Sequence, residues 1–182
     1  MFTGCKSQSN EEVYISDLYN IHEEYKDAWG NVGKYDISLP RIHCDSKSAK
    51  KLNKTIKNEY KDLIHTLNEA KEEKYTLPDT SISYKEYWNK KMVSLVIKEE
   101  VEADDPRYKV YHFDFKTKKR VSNKKLYKKY KINQEDMKVW AAQAFDQEYA
   151  NEYFDNVKEL RAQTMGLLPS NLDVFYHKGK LN

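Results

Sequence analysis

The stretch Met92-Val-Ser-Leu-Val-Ile-Lys-Glu-Glu-Val101 decides the fold, because apolar residues recur at alternate positions along it. Successive side chains of a β-strand point to opposite faces, so this spacing predicts a strand with one apolar face. Residues 81–88 and 108–115 alternate in the same way, and turn residues separate them from the central stretch. The three runs together predict an antiparallel meander.

Two main helices are predicted beside this meander. The first begins at Asp45 or Ser46, either of which can act as an N-cap, and runs to about Lys71 with apolar residues three and four apart. The second follows the N-cap residue Asn133 and is expected to end at Gly166. Its buried stripe is predicted to comprise Met137, Trp140, Ala141, Ala144, Phe145, Phe154, Val157 and Leu160. The predicted fold class is α+β, with antiparallel sheet packed against two main helices.

The start of the chain is less regular than its middle. Residues 13–29 are mixed and aromatic, and we interpret them as a short strand or an irregular lead-in. Residues 34–39 alternate and predict a half-buried strand that ends at Pro40. A short helix capped by Ser122 is expected to run to about Lys129.

These elements predict three regions along the 182 residues. Residues 1–33 form a tether and lead-in, residues 34–103 a first α+β subdomain, and residues 104–182 a second. Residues 178–180 predict a hairpin turn, and the two residues after it resemble the start of a strand. We therefore expect the second subdomain to be cut short at the C-terminus.

Composition excludes several classes of protein. No run of 18 apolar residues is present, so a transmembrane helix is not predicted. Fifteen Tyr and three Trp argue against disorder. The five glycines do not form a phosphate-binding loop, and no Gly-x-Ser-x-Gly or HExxH motif occurs. Neither a cofactor nor a metal site is therefore predicted.

The opening residues Phe2-Thr3-Gly4-Cys5 resemble a bacterial lipobox, the signal-peptide site at which a cysteine is diacylated. Thr3 and Gly4 are the small residues that such a site requires, whereas Phe2 stands where leucine is usual. The resemblance implies lipid attachment at Cys5, followed by a polar tether. The alternatives are a Cys5–Cys44 disulfide in an exported protein and an ordinary free N-terminus.

A longer resemblance covers roughly residues 34–182. It rests on the run Tyr35-x-Ile-x-Leu-Pro-x-Ile, on residues 93–97, on Tyr111-His-Phe-Asp-Phe-Lys-Thr-Lys-Lys119, and on Phe175-Tyr-His-Lys-Gly-Lys-Leu181. This order resembles the paired extracytoplasmic domains of unknown function in the lysozyme-binding region of the Gram-positive anti-sigma-V factor. The same pair occurs in the N-terminal region of some peptidoglycan deacetylases. His112 and Lys118 depart from the family's hairpin, which has asparagine and glycine there.

The resemblance implies an α+β fold outside the cell membrane that binds rather than catalyses. Lysozyme contacts are not carried over, because no matching contact motif is visible in this sequence.

Three groups of residues are candidates for chemistry, and each has a simpler structural interpretation. His43-Cys44-Asp45 lies between a strand and a helix cap, which favours a structural role. His112 and Asp114 share the strand face opposite the apolar one, which we expect to be solvent-exposed, and Ser94 has no evident base. Asp104-Asp105 precedes Pro106 and is typical of a turn. No catalytic residue is therefore predicted.

Charge is distributed unevenly along the chain. The net charge is +3, yet residues 116–131 contain nine basic residues and no acidic one, which leaves the remainder at about 3 − 9 = −6. The basic segment predicts an anionic-polymer site formed by Lys118, Lys119, Arg120, Lys124, Lys125, Lys128 and Lys129. A cationic partner would instead need acidic residues such as Glu99, Glu100, Glu102, Asp104 and Asp105.

The sequence thus favours a lipid-anchored, non-catalytic binding or sensing module of the bacterial cell envelope. Its expected partners are a wall polymer, anionic lipid headgroups or an envelope protein. The alternative is a cytoplasmic nucleic-acid-binding protein that uses the basic 116–131 segment. Lys outnumbers Arg 28 to 4, which disfavours that alternative because Arg recognises phosphates and bases in a bidentate manner.

Overall fold

The structure, a computed structural model, describes residues 13–148 and the backbone of residues 176–177 and 180–181. Contacts between Cα atoms divide the chain into two compact units. The first comprises residues 1–120 and 175–182, and the second comprises residues 121–174. The predicted boundary at 103/104 falls in the turn between two paired strands of the first unit.

A six-stranded sheet dominates the described residues, and its strands lie side by side in the order in which they occur along the chain. They are β1 (Tyr14–Lys26), β2 (Val32–His43), β3 (Thr80–Trp88), β4 (Met92–Val101), β5 (Arg107–Asp114) and β6 (Lys119–Val121). The pairs β3–β4 and β4–β5 are antiparallel, which confirms the predicted meander, and the pair β1–β2 is antiparallel as well. The pair β2–β3 is parallel, because helices connect these two strands.

The core lies between one face of this sheet and two helices. From β4 this core includes Val93, Leu95 and Ile97, which are fully enclosed. Tyr111 and Phe113 continue the same face on β5, directly opposite Leu95 and Val93. The alternation in the sequence therefore marks the buried face of the sheet. With these helices the fold is α+β, as predicted.

The first predicted helix is divided in two. Helix α1 (Lys47–Glu59) begins after Ser46, whose hydroxyl accepts the Ala49 N–H at 3.0 Å, and this confirms the predicted cap. Helix α2 (Lys61–Glu73) follows at once. The prediction of a single helix is wrong. The backbone angles of Tyr60, with ψ near 5°, are not helical, and the helix is interrupted there.

Of the two interpretations of residues 13–29, the strand is confirmed, and at 13 residues β1 is longer than the short strand expected. It pairs with β2 over most of its length, but its burial alternates poorly because Leu18 forms a bulge. Strand β2 also continues past its predicted end at Pro40. Pro40 lies opposite Asp17, beside the bulge, where the irregular pairing accommodates a residue without an N–H.

The β1–β2 turn is organised by one carboxylate. Asp27 accepts hydrogen bonds from the N–H groups of Trp29 and Asn31, at 2.9 and 2.8 Å, and from the side chains of Asn31 and Thr76. Removal from water would raise the pKa of Asp27, but these hydrogen bonds outweigh it and hold the pKa below its usual value. Gly30 supplies the positive φ of +91° that the turn requires.

The described part of the second unit contains two helices, α3 (Asn123–Tyr130) and α4 (Gln134–Glu148). Asn133 caps α4, because its side-chain oxygen accepts the Asp136 N–H at 2.9 Å, as predicted. Met137 and Phe145 are buried, but Trp140 is 40% exposed and does not belong to the buried stripe. Phe154, Val157, Leu160 and Gly166 lie outside the described residues.

The last described strands, β7 (Tyr176–His177) and β8 (Lys180–Leu181), pair with each other in antiparallel fashion. This pairing confirms the predicted hairpin around residues 178–180.

Candidate functional site

The exposed lysines of α3 form one half of the predicted basic site. Leu126 is buried, while Lys124, Lys125, Lys128 and Lys129 are all exposed. These lysines lie one and four positions apart, so they share one broad face of the helix. Helix α3 contains no acidic residue. The structure therefore brings together four of the seven predicted residues as the α3 lysine face.

The other predicted residues, Lys118, Lys119 and Arg120, belong to the first unit, at the β5–β6 turn and the start of β6. The Arg120 N–H donates to the Ser48 hydroxyl on α1 at 2.7 Å, and its guanidinium lies 5.5 Å from the centre of the Tyr111 ring. The predicted segment is thus divided between the two units.

A second lysine-rich helix face was not predicted. The exposed face of α1 consists of Lys47, Lys50, Lys51, Lys54 and Lys57. The sequence contains a signal for it, because no acidic residue occurs between Ser46 and Asn58. These lysines do not stand out in the sequence, because they are spaced along a helix rather than clustered.

An open depression of about 490 Å³ lies in the first unit, where the β4–β5 turn meets β2 and β3. Its lining contains five carboxylates: Asp36, Asp79, Glu100, Glu102 and Asp104. Three of these belong to the acidic set proposed for a cationic partner; Glu99 and Asp105 do not line the depression.

Several of these carboxylates already have partners. Lys98 contacts Glu100 at 2.5 Å, Arg107 contacts Asp104 at 3.3 Å, and Asp79 accepts the Lys34 N–H at 2.8 Å. The described residues contain no group of three or more side chains able to hold a metal ion.

His112 is buried, which corrects the expectation that its strand face is open to solvent. It is 1% exposed, and its Nδ1 lies 2.9 Å from the hydroxyl of Ser94, which is fully buried. The contact exists because these residues stand directly opposite each other in the β4–β5 register. Ser94 therefore has a histidine partner that the sequence did not reveal.

Asp114, two residues after His112 on β5, has a structural use. Its carboxylate accepts the N–H groups of Lys116 and Thr117 at 3.0 and 2.8 Å and thus shapes the β5–β6 turn. Ser94 and His112 are both enclosed, so a substrate does not reach the hydroxyl in this conformation.

The His43-Cys44-Asp45 run has structural contacts. The His43 ring stacks on Tyr14 with centroids 4.2 Å apart, and its Nε2 lies 2.7 Å from the Ser16 hydroxyl. Cys44 is a half-buried free thiol packed against the core. Asp45 forms an ion pair with Lys50 at 2.9 Å, which lowers the pKa of Asp45, as does the nearby charge of Lys118.

A polar cluster joins α1 to β5. The Glu59 carboxylate accepts the Tyr111 hydroxyl at 2.5 Å and contacts the Lys109 ammonium at 3.0 Å. Burial and the contact with Glu59 raise the pKa of Tyr111. Burial opposes ionisation of Glu59, but the contacts with Tyr111 and Lys109 outweigh it and lower the pKa of Glu59.

Cys5, the predicted lipid attachment point, lies outside the described residues. Within the described part of the chain, no helix has both the length and the apolar character needed to cross a bilayer. No protein-family model matches the sequence, and no curated protein is significantly similar to it.

Proposed function

We propose that the chain is an extracytoplasmic binding module of the bacterial cell envelope, anchored by lipid on Cys5 and without catalytic activity. The lipobox-like residues 2–5 and the family resemblance over residues 34–182 support the location. The α3 lysine face is the observation that carries the binding function, and its partner is an anionic wall polymer.

The charge pattern of α3 favours an anionic partner. Lys124 and Lys128 lie four positions apart, as do Lys125 and Lys129, so each pair repels across one helical turn. Such repulsion costs a helix a few tenths of a kcal/mol per pair. No acidic residue on α3 offsets this cost. A polyanion lying along the face would attract all four lysines and offset their mutual repulsion. Teichoic acids are polyanions of the bacterial cell envelope.

The absence of catalysis is inferred from how the candidate groups are used. Ser94 and His112 contact each other in the interior, and Asp114 shapes a turn. Asp104, from the acidic pair, accepts a hydrogen bond from Arg107 in the β4–β5 turn. These contacts support a structural role for each group.

Binding to polyglycerol phosphate tests the proposal. If four lysines contact phosphates, the affinity should fall roughly 50-fold between 50 and 200 mM salt, as for other flexible polyanions. Replacing Lys124, Lys125, Lys128 and Lys129 with Gln should abolish most of the binding and its salt dependence. The matched control replaces four exposed lysines of the first unit with Gln, namely Lys26, Lys34, Lys74 and Lys85. Equal losses in both variants would contradict a site on α3.

Two alternatives differ from this proposal, one in its ligand and the other in its binding surface. A cytoplasmic nucleic-acid-binding protein would use the same α3 lysine face, so RNA and duplex DNA belong in the same assay. Tighter binding of either than of polyglycerol phosphate would favour that alternative. A cationic envelope protein would fit the acidic depression near Asp79 and Glu102 instead, and its binding would survive the α3 substitutions.

A further inference from the structure

Helix α1 presents an uninterrupted basic face. With about 100° per residue, its five exposed lysines, Lys47, Lys50, Lys51, Lys54 and Lys57, lie within an arc of roughly 120°. Ala49, Leu52 and Ile56 are fully buried on the opposite side. From the first to the last lysine the face extends about 15 Å along the helix axis. The helix is thus attached to the core by one side and displays only positive charge on the other.

This charge arrangement is unfavourable for an isolated helix. The first turn of α1 contains Lys47 and Lys50 but no acidic residue, although the helix dipole favours negative charge there. Lys47 and Lys51 also repel each other across one turn. Asp45, which precedes the helix, forms an ion pair with Lys50 at 2.9 Å. Helix stability therefore does not explain the lysines, whereas an external anion would.

The β5–β6 turn extends the same surface. The Arg120 backbone donates to Ser48 in the first turn of α1, and the charge of Lys118 is close enough to lower the pKa of Asp45. Lys119 is exposed beside them. Together the five α1 lysines and this turn form one basic surface within the first unit.

The N-terminal segment joins the first unit beside this surface. Tyr14, at the start of β1, is paired with His43 and stacks on its ring. His43 ends β2 only four residues before Lys47. Cys5 precedes Tyr14 by nine residues, which span at most about 30 Å when fully extended. A lipid on Cys5 would therefore hold the basic surface close to the bilayer.

We propose that the basic surface of α1 and the β5–β6 turn docks on the anionic phospholipid headgroups of the membrane. The closeness of this surface to the bilayer depends on the proposed lipid anchor, whereas the existence of the basic surface does not. Docking is electrostatic, without insertion, because the apolar side of α1 is enclosed in the core. A polybasic surface of this kind adds to the membrane affinity of a lipid anchor.

Vesicle binding by the full chain without lipid tests this surface. The protein is sedimented with vesicles of phosphatidylcholine alone or with 30% phosphatidylglycerol, at about 50 mM salt, and we expect binding only to the anionic vesicles. Each lysine near an anionic surface is worth about fivefold in affinity, so replacing Lys47, Lys51 and Lys54 with Gln should weaken binding about 100-fold. Since the substitutions relieve repulsion, the melting temperature should not fall.

The control variant replaces Lys26, Lys34 and Lys74 with Gln and removes the same charge. Lys26 and Lys34 lie near the turn of the β1–β2 hairpin, and Lys74 lies at the adjoining end of α2. Helix α1 starts near the opposite end of β2. The control should bind like the wild type. Three results would each overturn the proposal. They are an equal loss of vesicle binding in both variants, equal binding to neutral and anionic vesicles, and binding to soluble polyglycerol phosphate with no binding to vesicles. A lack of acylation at Cys5 in cells would instead overturn the proposed anchor, while vesicle binding persisted.

Discussion

Asn53 joins the helix layer to the sheet through a single side chain. Its amide oxygen accepts the Ile42 N–H at 2.9 Å, and its amide nitrogen donates to the Ile42 carbonyl at 2.8 Å. Both backbone groups of a buried residue are thereby satisfied at a point where β2 faces α1.

Replacing Asn53 with Ala should therefore be costly. Both partners on Ile42 would lose their hydrogen bonds in a partly buried position, and the free energy of unfolding should fall by about 2–3 kcal/mol. Asn58→Ala, at an exposed position of α1, is the control and should change it by less than about 0.5 kcal/mol. Urea denaturation of both variants measures the difference, and similar effects would contradict the proposed role of Asn53.

The Glu59–Tyr111 contact predicts a dependence of stability on pH. The pKa of Glu59 is lowered in the fold, so its contribution is present at neutral pH and is lost as pH falls through the folded pKa. The pKa of Tyr111 is raised, so its contribution is lost as pH rises above the ordinary tyrosine pKa of 10.0. Tyr111→Phe should lower the free energy of unfolding by about 1 kcal/mol at pH 7, and stability should then fall less steeply at both acid and alkaline pH. Thermal unfolding from pH 3 to 11 tests this. An unchanged dependence of stability on pH would contradict it.

Individual residues were harder to place from sequence than the strands that carry them. The alternation around Phe113 correctly put His112 on the opposite face of β5, but a strand's own pattern does not show what covers that face. The contact with Ser94 depends on the register between β4 and β5, and register is a property of two strands. The lysines of α3 were placed correctly because helix period alone makes them neighbours.

At the scale of elements, prediction succeeded where apolar residues recur at alternate positions in the sequence. Strands β3, β4 and β5 carry such residues, so their existence followed from the sequence, although both faces are buried where β4 pairs with β5 around Ser94. Strand β1 was predicted only as a short strand or an irregular lead-in, because a bulge at Leu18 shifts its inward residues. The break at Tyr60 was missed because the apolar spacing continues through it from α1 into α2. Local pattern thus describes regular elements and overlooks their irregularities.

The start of α1 provides a prediction at this scale. Ser46→Ala removes the side-chain acceptor for the Ala49 N–H, in a first turn that carries lysines instead of acidic residues. The variant should lose about 1 kcal/mol of unfolding free energy. Thr55→Ala is the control, because its hydroxyl contacts only the Lys51 carbonyl within α1 and alanine favours helix. If Ser46→Ala and Thr55→Ala have the same free energy of unfolding, the cap does not contribute to stability.

At the scale of the whole molecule, two basic surfaces occur in two separate units. The α3 lysine face belongs to residues 121–174, whereas the α1 surface belongs to the unit that begins next to the proposed anchor. This division favours different anionic partners for the two surfaces, a wall polymer and the membrane. The net charge of +3 conceals both surfaces, because carboxylates collect elsewhere, notably in the depression at the β4–β5 turn.

Attachment to the outer face of a membrane is the central property proposed for this protein. The most direct measurement expresses the native reading frame in a Gram-positive host, labels the cells with a palmitate analogue, and separates membrane from soluble fractions. We predict that the protein is labelled and found with the membranes, and that Cys5→Ala loses the label. An unlabelled protein in the soluble fraction would contradict the proposed anchor and location.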